Sequence, residues 1–161
     1  MKVFSKSKYK LSQMHVGMRV MTVFFLVMIL LGFGCGLLLG IQKMGFSPAS
    51  IAAYYRGSSD GMSYPKSLLE LLETAHFHFI GMPMVFLIVG HLAMMTGFSA
   101  KVIGRLIAIG FLGIFLNVLS PFLIRFFGTF FVYGEIMSVC LMILAFVGLV
   151  GSIFWDLGSN H

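Results

Sequence analysis

The chain has 161 residues, of which 59% are hydrophobic and only 10% charged, and its mean hydropathy is +1.01. Soluble domains carry about 25% charged residues, so this composition excludes a soluble enzyme domain or a nucleic-acid-binding module. The formal net charge of +6 is spread along the chain in step with its hydrophobic segments and does not form one basic patch.

Apolar runs of about 18 residues or more read as transmembrane helices. Four are predicted, over residues 18–41, 73–96, 102–124 and 129–154, with an outer loop at 42–72. They fill residues 1–161 as a single four-span membrane domain, predicted as an all-α, up-down four-helix bundle. The dyad alternation of an outer-membrane barrel is missing. Lys2, Lys6, Lys8, Lys10, Arg19, Lys101 and Arg105 fall on the N-terminal side of these spans. Lys43, Arg56, Lys66 and Arg125 fall on the other side, balanced by Asp60, Glu70, Glu73 and Glu135. The positive-inside rule then puts the N and C termini in the cytoplasm of a bacterial-type inner membrane, with the chain multi-pass.

Residues 1–17 are basic and interleaved with Val3, Phe4, Tyr9 and Leu11, a pattern suited to an anionic leaflet. His15 enters the membrane at the depth where the second span ends. Gly34-Cys35 faintly suggests a lipoprotein cleavage site, but the apolar run continues through Leu37, Leu38 and Leu39, so a retained first span is expected. Gly32, Gly36 and Gly40 recur at small-xxx-small spacing and predict a helix-packing face. Cys35 and Cys140 both fall inside spans, so no disulfide framework is expected.

In the outer loop, Pro48 opens a predicted short interfacial helix reaching Arg56, with Ser47 as its cap. Tyr54 and Tyr55 suit the headgroup level, and the Gly57–Gly61 stretch reads as a turn. The second span carries Glu73, His76, His78 and His91 and is interrupted by Pro83. Glu73 and His76 lie three residues apart on neighbouring positions of one face. Glu73 and His91 are 18 residues apart, five full turns, and share an azimuth. The expectation is that this helix aims imidazoles into the bundle from near both surfaces. The third span has a small or polar face of Gly110, Gly113, Asn117 and Ser120-Pro121 and ends at Arg125. The fourth runs from Tyr133 and Glu135 through Ser138 and Met142 to an interfacial Trp155.

Alternating topology places Glu73, His76, His78, Asn117, Arg125, Tyr133 and Glu135 in the outer third of the bundle. Buried ions need partners, so Arg125 is the expected counter-charge of Glu135, and His76 the partner of Glu73. Such a cluster could be purely structural. It could also hold haem b, with His76, His78, His91 and His15 as candidate axial ligands and Arg125 or Lys66 facing the propionates. His78 and His91 are 13 apart and His76 and His91 are 15 apart. In this the second span resembles the helices of membrane-bound b-type cytochrome subunits, where two histidines about fourteen residues apart ligate stacked haems. The resemblance implies a haem-binding bundle, although the third and fourth spans contain no histidine. A partner for these imidazoles would then come from His15, Met137, Met142 or another subunit. As an alternative to haem, Glu73, His76 and Glu135 form a candidate mononuclear site for iron or zinc, with Glu73-Thr74-Ala75-His76 giving the Glu-x-x-His step. His78 with Met82 and Met84 would suit copper.

The expected function is a small inner-membrane subunit of an electron-transfer system, binding haem b or forming part of a quinol-side site near the outer face. The alternatives are a non-catalytic accessory or assembly subunit of a larger membrane complex, or a membrane protein binding Fe, Cu or Zn. Expected partners are the lipid bilayer, other membrane subunits or further copies of the chain, and a quinone, with no nucleic acid. No nucleophile–base pair or phosphate loop is present in the sequence, so no catalytic residue is assigned and an electron carrier is favoured over an independent enzyme.

Overall fold

The computed structural model describes residues 11–58, 61 and 63–159, with the backbone alone at Ser12. Lys2, Lys6, Lys8, Lys10, the aromatic residues Phe4 and Tyr9, Asp60 and His161 lie outside the described residues. All regular secondary structure among the described residues is helical, with four helices long and apolar enough to cross a membrane. These are α1 (Val16–Met44), α3 (Leu68–Met94), α4 (Ala100–Phe126) and α5 (Val132–Gly158), and the short α2 (Pro48–Arg56) follows α1. Helices α1, α3 and α4 start two to five residues before the predicted spans, whereas α5 starts three residues after its predicted start, behind a 3-10 turn at Thr129–Phe131. In α3 this extension begins at a capping box, in which Ser67 accepts from the Glu70 backbone and Glu70 returns a bond to the Ser67 N–H. The α2 helix has the expected Ser47 cap and Pro48 at its first turn.

Small residues set the packing. Apolar burial drives little helix association in lipid, so close backbone approach and interhelical hydrogen bonds decide which helices pair. A Cβ on Gly113 would lie 2.8 Å from Met142 and 3.1 Å from the Ser138 carbonyl, and one on Gly148 would lie 3.0 Å from Leu106. A Cβ on Gly110 would overlap the Phe86 ring, which brings α3 onto the same pair. The third-span face expected from Gly110, Gly113, Asn117 and Ser120 is therefore the buried seam between α4 and α5.

The α1 helix stands apart from this core. Only 6% of its most apolar stretch is buried, against 44% for the span containing α5. Thr22 and Leu26 are its only buried residues. Phe33 stacks on Phe146 with ring centroids 4.2 Å apart, and the Arg19 guanidinium donates to the Leu157 carbonyl. Nothing lies within 4 Å of a Cβ placed on Gly32 or Gly36, so this expected packing face meets no helix of the described chain.

The two ends of the bundle are closed differently. At the end carrying α2, Arg56 donates to the Ile124 carbonyl at 2.9 Å and the Arg125 carbonyl at 3.3 Å. These are carbonyls of the last turn of α4, which have no partner within the helix. At the opposite end the Leu11 N–H donates to the Met95 carbonyl at 3.3 Å, and Asp156 accepts from the Gly97 N–H at 2.9 Å.

Candidate functional site

In the half of the bundle nearer α2, three helices bring polar side chains together. Asn117 on α4 donates through Nδ2 to Glu135 Oε1 on α5 at 3.0 Å and to Ser138 Oγ at 3.3 Å. Ser138 in turn donates to the Glu135 carbonyl at 2.6 Å, bonding back along its own helix. Asn117, Glu135 and Ser138 are all buried. His78 on α3 is half-buried and lies beside the Asn117 side chain. These positions face one another because α4 and α5 meet at Gly113, and α3 closes on α4 where Phe86 covers Gly110.

The network is incomplete in a specific way. Glu135 Oε2 and Asn117 Oδ1 are buried with no hydrogen-bond partner among the described residues. Pro121, four residues beyond Asn117, has no N–H to offer the Asn117 carbonyl. Two buried side-chain acceptors thus lack a donor at this level. Tyr55 of α2 is buried above this end, its hydroxyl 3.3 Å from the Met44 sulfur. Burial pushes the Tyr55 phenol far above its ordinary value, and the nearby Glu135 carboxylate adds to the shift.

A family model described as a transmembrane helical domain matches residues 45–161. The chain belongs to that family. No curated protein and no solved structure matches it. The family's transmembrane helical domain begins at Gly45, immediately after α1, and so takes in α2 to α5 and the whole polar site. The boundary coincides with the structural one, since α1 is the helix that contributes least to the core.

The other expected site residues lie elsewhere. Glu73, His76 and His91 are exposed on the side of α3 facing away from the bundle, not in its interior. The physical reason is that α3 packs through Leu71, Ala75, Phe86, Val89 and Ala93, whose small or flat side chains fit against α4 and α5. His78 falls on this packed side, so it alone of the three α3 histidines meets Asn117. The expected convergence of Glu73, His76 and Glu135 is accordingly corrected, and no group of three His, Cys, Asp or Glu side chains comes together among the described residues. The expected Arg125–Glu135 ion pair is also corrected. Arg125 Nε donates to the Lys66 carbonyl at 2.8 Å, beyond the helix end, while Glu135 turns inward to Asn117. His15 is exposed and caps α1, its Nδ1 accepting from the Gly17 N–H at 3.3 Å. His91 lies in a shallow apolar groove with Leu87, Ile88 and Leu92.

Asp156 went unnoticed in the sequence and is buried at the opposite end, bonded to Gly97, with its Oδ2 lacking a partner. Its signal was available. An acidic residue in the last turn of a helix opposes the helix dipole and needs N–H donors from outside that helix.

Proposed function

We propose that the chain is a small subunit of a membrane electron-transfer system and that the Glu135–Asn117–His78 site forms part of a quinol-binding site. The observation that carries this reading is the pair of unpartnered buried acceptors, Glu135 Oε2 and Asn117 Oδ1, beside a half-buried imidazole. Leaving such atoms unpaired costs about 1–3 kcal/mol each, so a donor from a lipid-soluble ligand is favoured there. A quinol brings two hydroxyl donors on an apolar ring and reaches the site laterally from the bilayer, past His78. Glu135 would accept one hydroxyl proton and His78 the other, and the electrons would pass to a redox centre of an associated subunit. With the positive-inside assignment, the α2 end faces outward and the protons leave on that side.

Haem b and a metal ion remain proposals for a boundary with another chain. The close contacts at Gly110, Gly113 and Gly148 fill the space between α3, α4 and α5, where a macrocycle would have to lie. The packed side of α3 presents a single imidazole, and no second helix opposes it with another. The accessory-subunit reading is favoured by α1, whose long apolar surface is nearly all uncovered.

The test is infrared difference spectroscopy of the full chain in lipid nanodiscs, with and without a short-chain ubiquinol. Quinol should perturb a carboxyl band that disappears in Glu135→Gln, and His78→Ala should weaken quinol binding. A spectrum unchanged by quinol in the wild-type protein overturns the reading.

A further inference from the structure

The end of the bundle at α2 holds two arginines whose charge is not neutralised. Arg56 closes α2, and Arg125 is the penultimate residue of α4. Arg56 Nη1 donates to the Ile124 and Arg125 carbonyls, and Arg125 Nε donates to the Lys66 carbonyl. The two guanidinium groups therefore lie within the length of one arginine of each other. Their partners are neutral, and donors remain unused on both: Nε and Nη2 of Arg56, and the two terminal nitrogens of Arg125. Lys66 is different, because Glu70 pairs with it at 2.7 Å and the Tyr54 ring lies beside it. Neither arginine is in an ion pair among the described residues.

Depth and surroundings say what an anion here would be. The α4 helix has 27 residues. At ~1.5 Å per residue it is roughly 40 Å long, against ~30 Å of hydrocarbon, so its last turn reaches the headgroups. Tyr54, Tyr64 and Tyr133 lie at the same end, the level that interfacial aromatics favour. The Arg125 guanidinium carbon is 5.3 Å from the centroid of the exposed Phe126 ring, which sets it on the lipid-facing side of α4. From Phe126 an apolar column runs down that side through Phe122, Leu119, Phe115 and Leu112, at alternating spacings of four and three residues. All but the half-buried Phe122 are exposed. A cationic rim above an apolar track is complementary to a molecule with an anionic head and acyl chains.

We propose that Arg56 and Arg125 clamp the phosphate of an anionic phospholipid whose chains lie along Phe122, Leu119 and Phe115. The planar fork of a guanidinium matches two phosphate oxygens at once. Two like charges this close repel each other, and a phosphate between them removes the repulsion and occupies the unused donors. Arg56 belongs to α2 and Arg125 to α4, so the lipid adds a second tie between these helices beside the carbonyl bonds. Inorganic phosphate shares the head chemistry but has no chains for the apolar column. The clamp stands apart from Glu135, which turns inward to Asn117, and does not depend on the quinol reading.

The experiment titrates the full chain in mild detergent with phosphatidylglycerol or phosphatidylcholine and reads bound lipid by native mass spectrometry. The wild-type chain should retain one phosphatidylglycerol in preference to phosphatidylcholine, whose choline cation the arginines repel. Arg56→Gln and Arg125→Gln should each weaken phosphatidylglycerol binding by about tenfold, as expected of a lost charged hydrogen bond. Arg125→Lys should recover part of the loss, since it restores the charge without the fork. Lys66→Gln should leave binding unchanged, because Glu70 already takes that charge. Inorganic phosphate at the lipid's concentration should not displace it. Circular dichroism checks that each variant keeps its helices, and Arg125→Gln decides the matter if Arg56→Gln releases α2. Equal retention of the two lipids, displacement by inorganic phosphate, unchanged binding in Arg125→Gln, or an equal loss in Lys66→Gln overturns the proposal.

Discussion

Asn117 and Glu135 lie 18 positions apart on antiparallel helices, yet their side chains meet at 3.0 Å inside the bundle. The bond joins α4 to α5 beside the Gly113 contact, so packing and polarity specify the same register. Asn117→Ala removes the donor together with its own oxygen and leaves both carboxylate oxygens of Glu135 buried without a partner. We expect a loss of about 1–2 kcal/mol, the range seen for interhelical and buried hydrogen bonds. Reversible unfolding in mixed micelles measures it, and wild-type stability would show that the network does not hold the two helices.

Glycine substitutions should separate the core seam from the peripheral helix. Gly113→Ala places a methyl 2.8 Å from Met142 and should destabilise the chain by about 1–3 kcal/mol through overpacking. Gly36→Ala meets nothing within 4 Å and should stay within about 0.5 kcal/mol of wild type. The same unfolding assay reads both. Equal costs would mean that α1 packs more tightly than its exposure indicates.

Arg56 ties α2 to the end of α4 through two carbonyls. Arg56→Ala should loosen α2 by about 1.5–3 kcal/mol, the usual worth of hydrogen bonds from a charged donor. Hydrogen exchange should then speed up at the backbone amides of α2 while those of α4 and α5 stay protected. Unchanged exchange in α2 would mean that its other contacts hold it in place.

Tyr55 gives a pH signature. Its phenol is held far above the ordinary value of 10.0 by burial, so the folded state keeps this proton while the unfolded state releases it. The associated stability is fully present below pH 10 and falls as pH rises beyond it. Absorbance at 295 nm should show one of the five tyrosines failing to ionise until the protein unfolds. Tyr55→Phe should abolish that late step. Five tyrosines ionising together near pH 10 would contradict the burial.

Much of the site was legible in residue order. His78, Asn117 and Glu135 share one depth by topology alone, and the glycines at 110 and 113 mark the face on which Asn117 lies. The Glu73–His91 line was read correctly as one azimuth, because five helical turns return to the same side. Which side that is cannot be read from periodicity in a membrane helix. Lipid and protein interior are equally apolar, so α3 has no hydrophobic face to point inward.

Composition and pattern by themselves determined that the chain is an all-helical membrane protein, where its spans run, how α2 is capped, and which polar residues share a level. Only the tertiary structure decided that α3 turns Leu71, Ala75 and Phe86 inward and Glu73, His76 and His91 outward, and that Glu135 takes Asn117 and not Arg125. Hydrophobicity sorts a chain between water and lipid. Helix partners within lipid are chosen by shape, through the fit of glycine against a ring or a methionine, and that fit exists only once the helices have met.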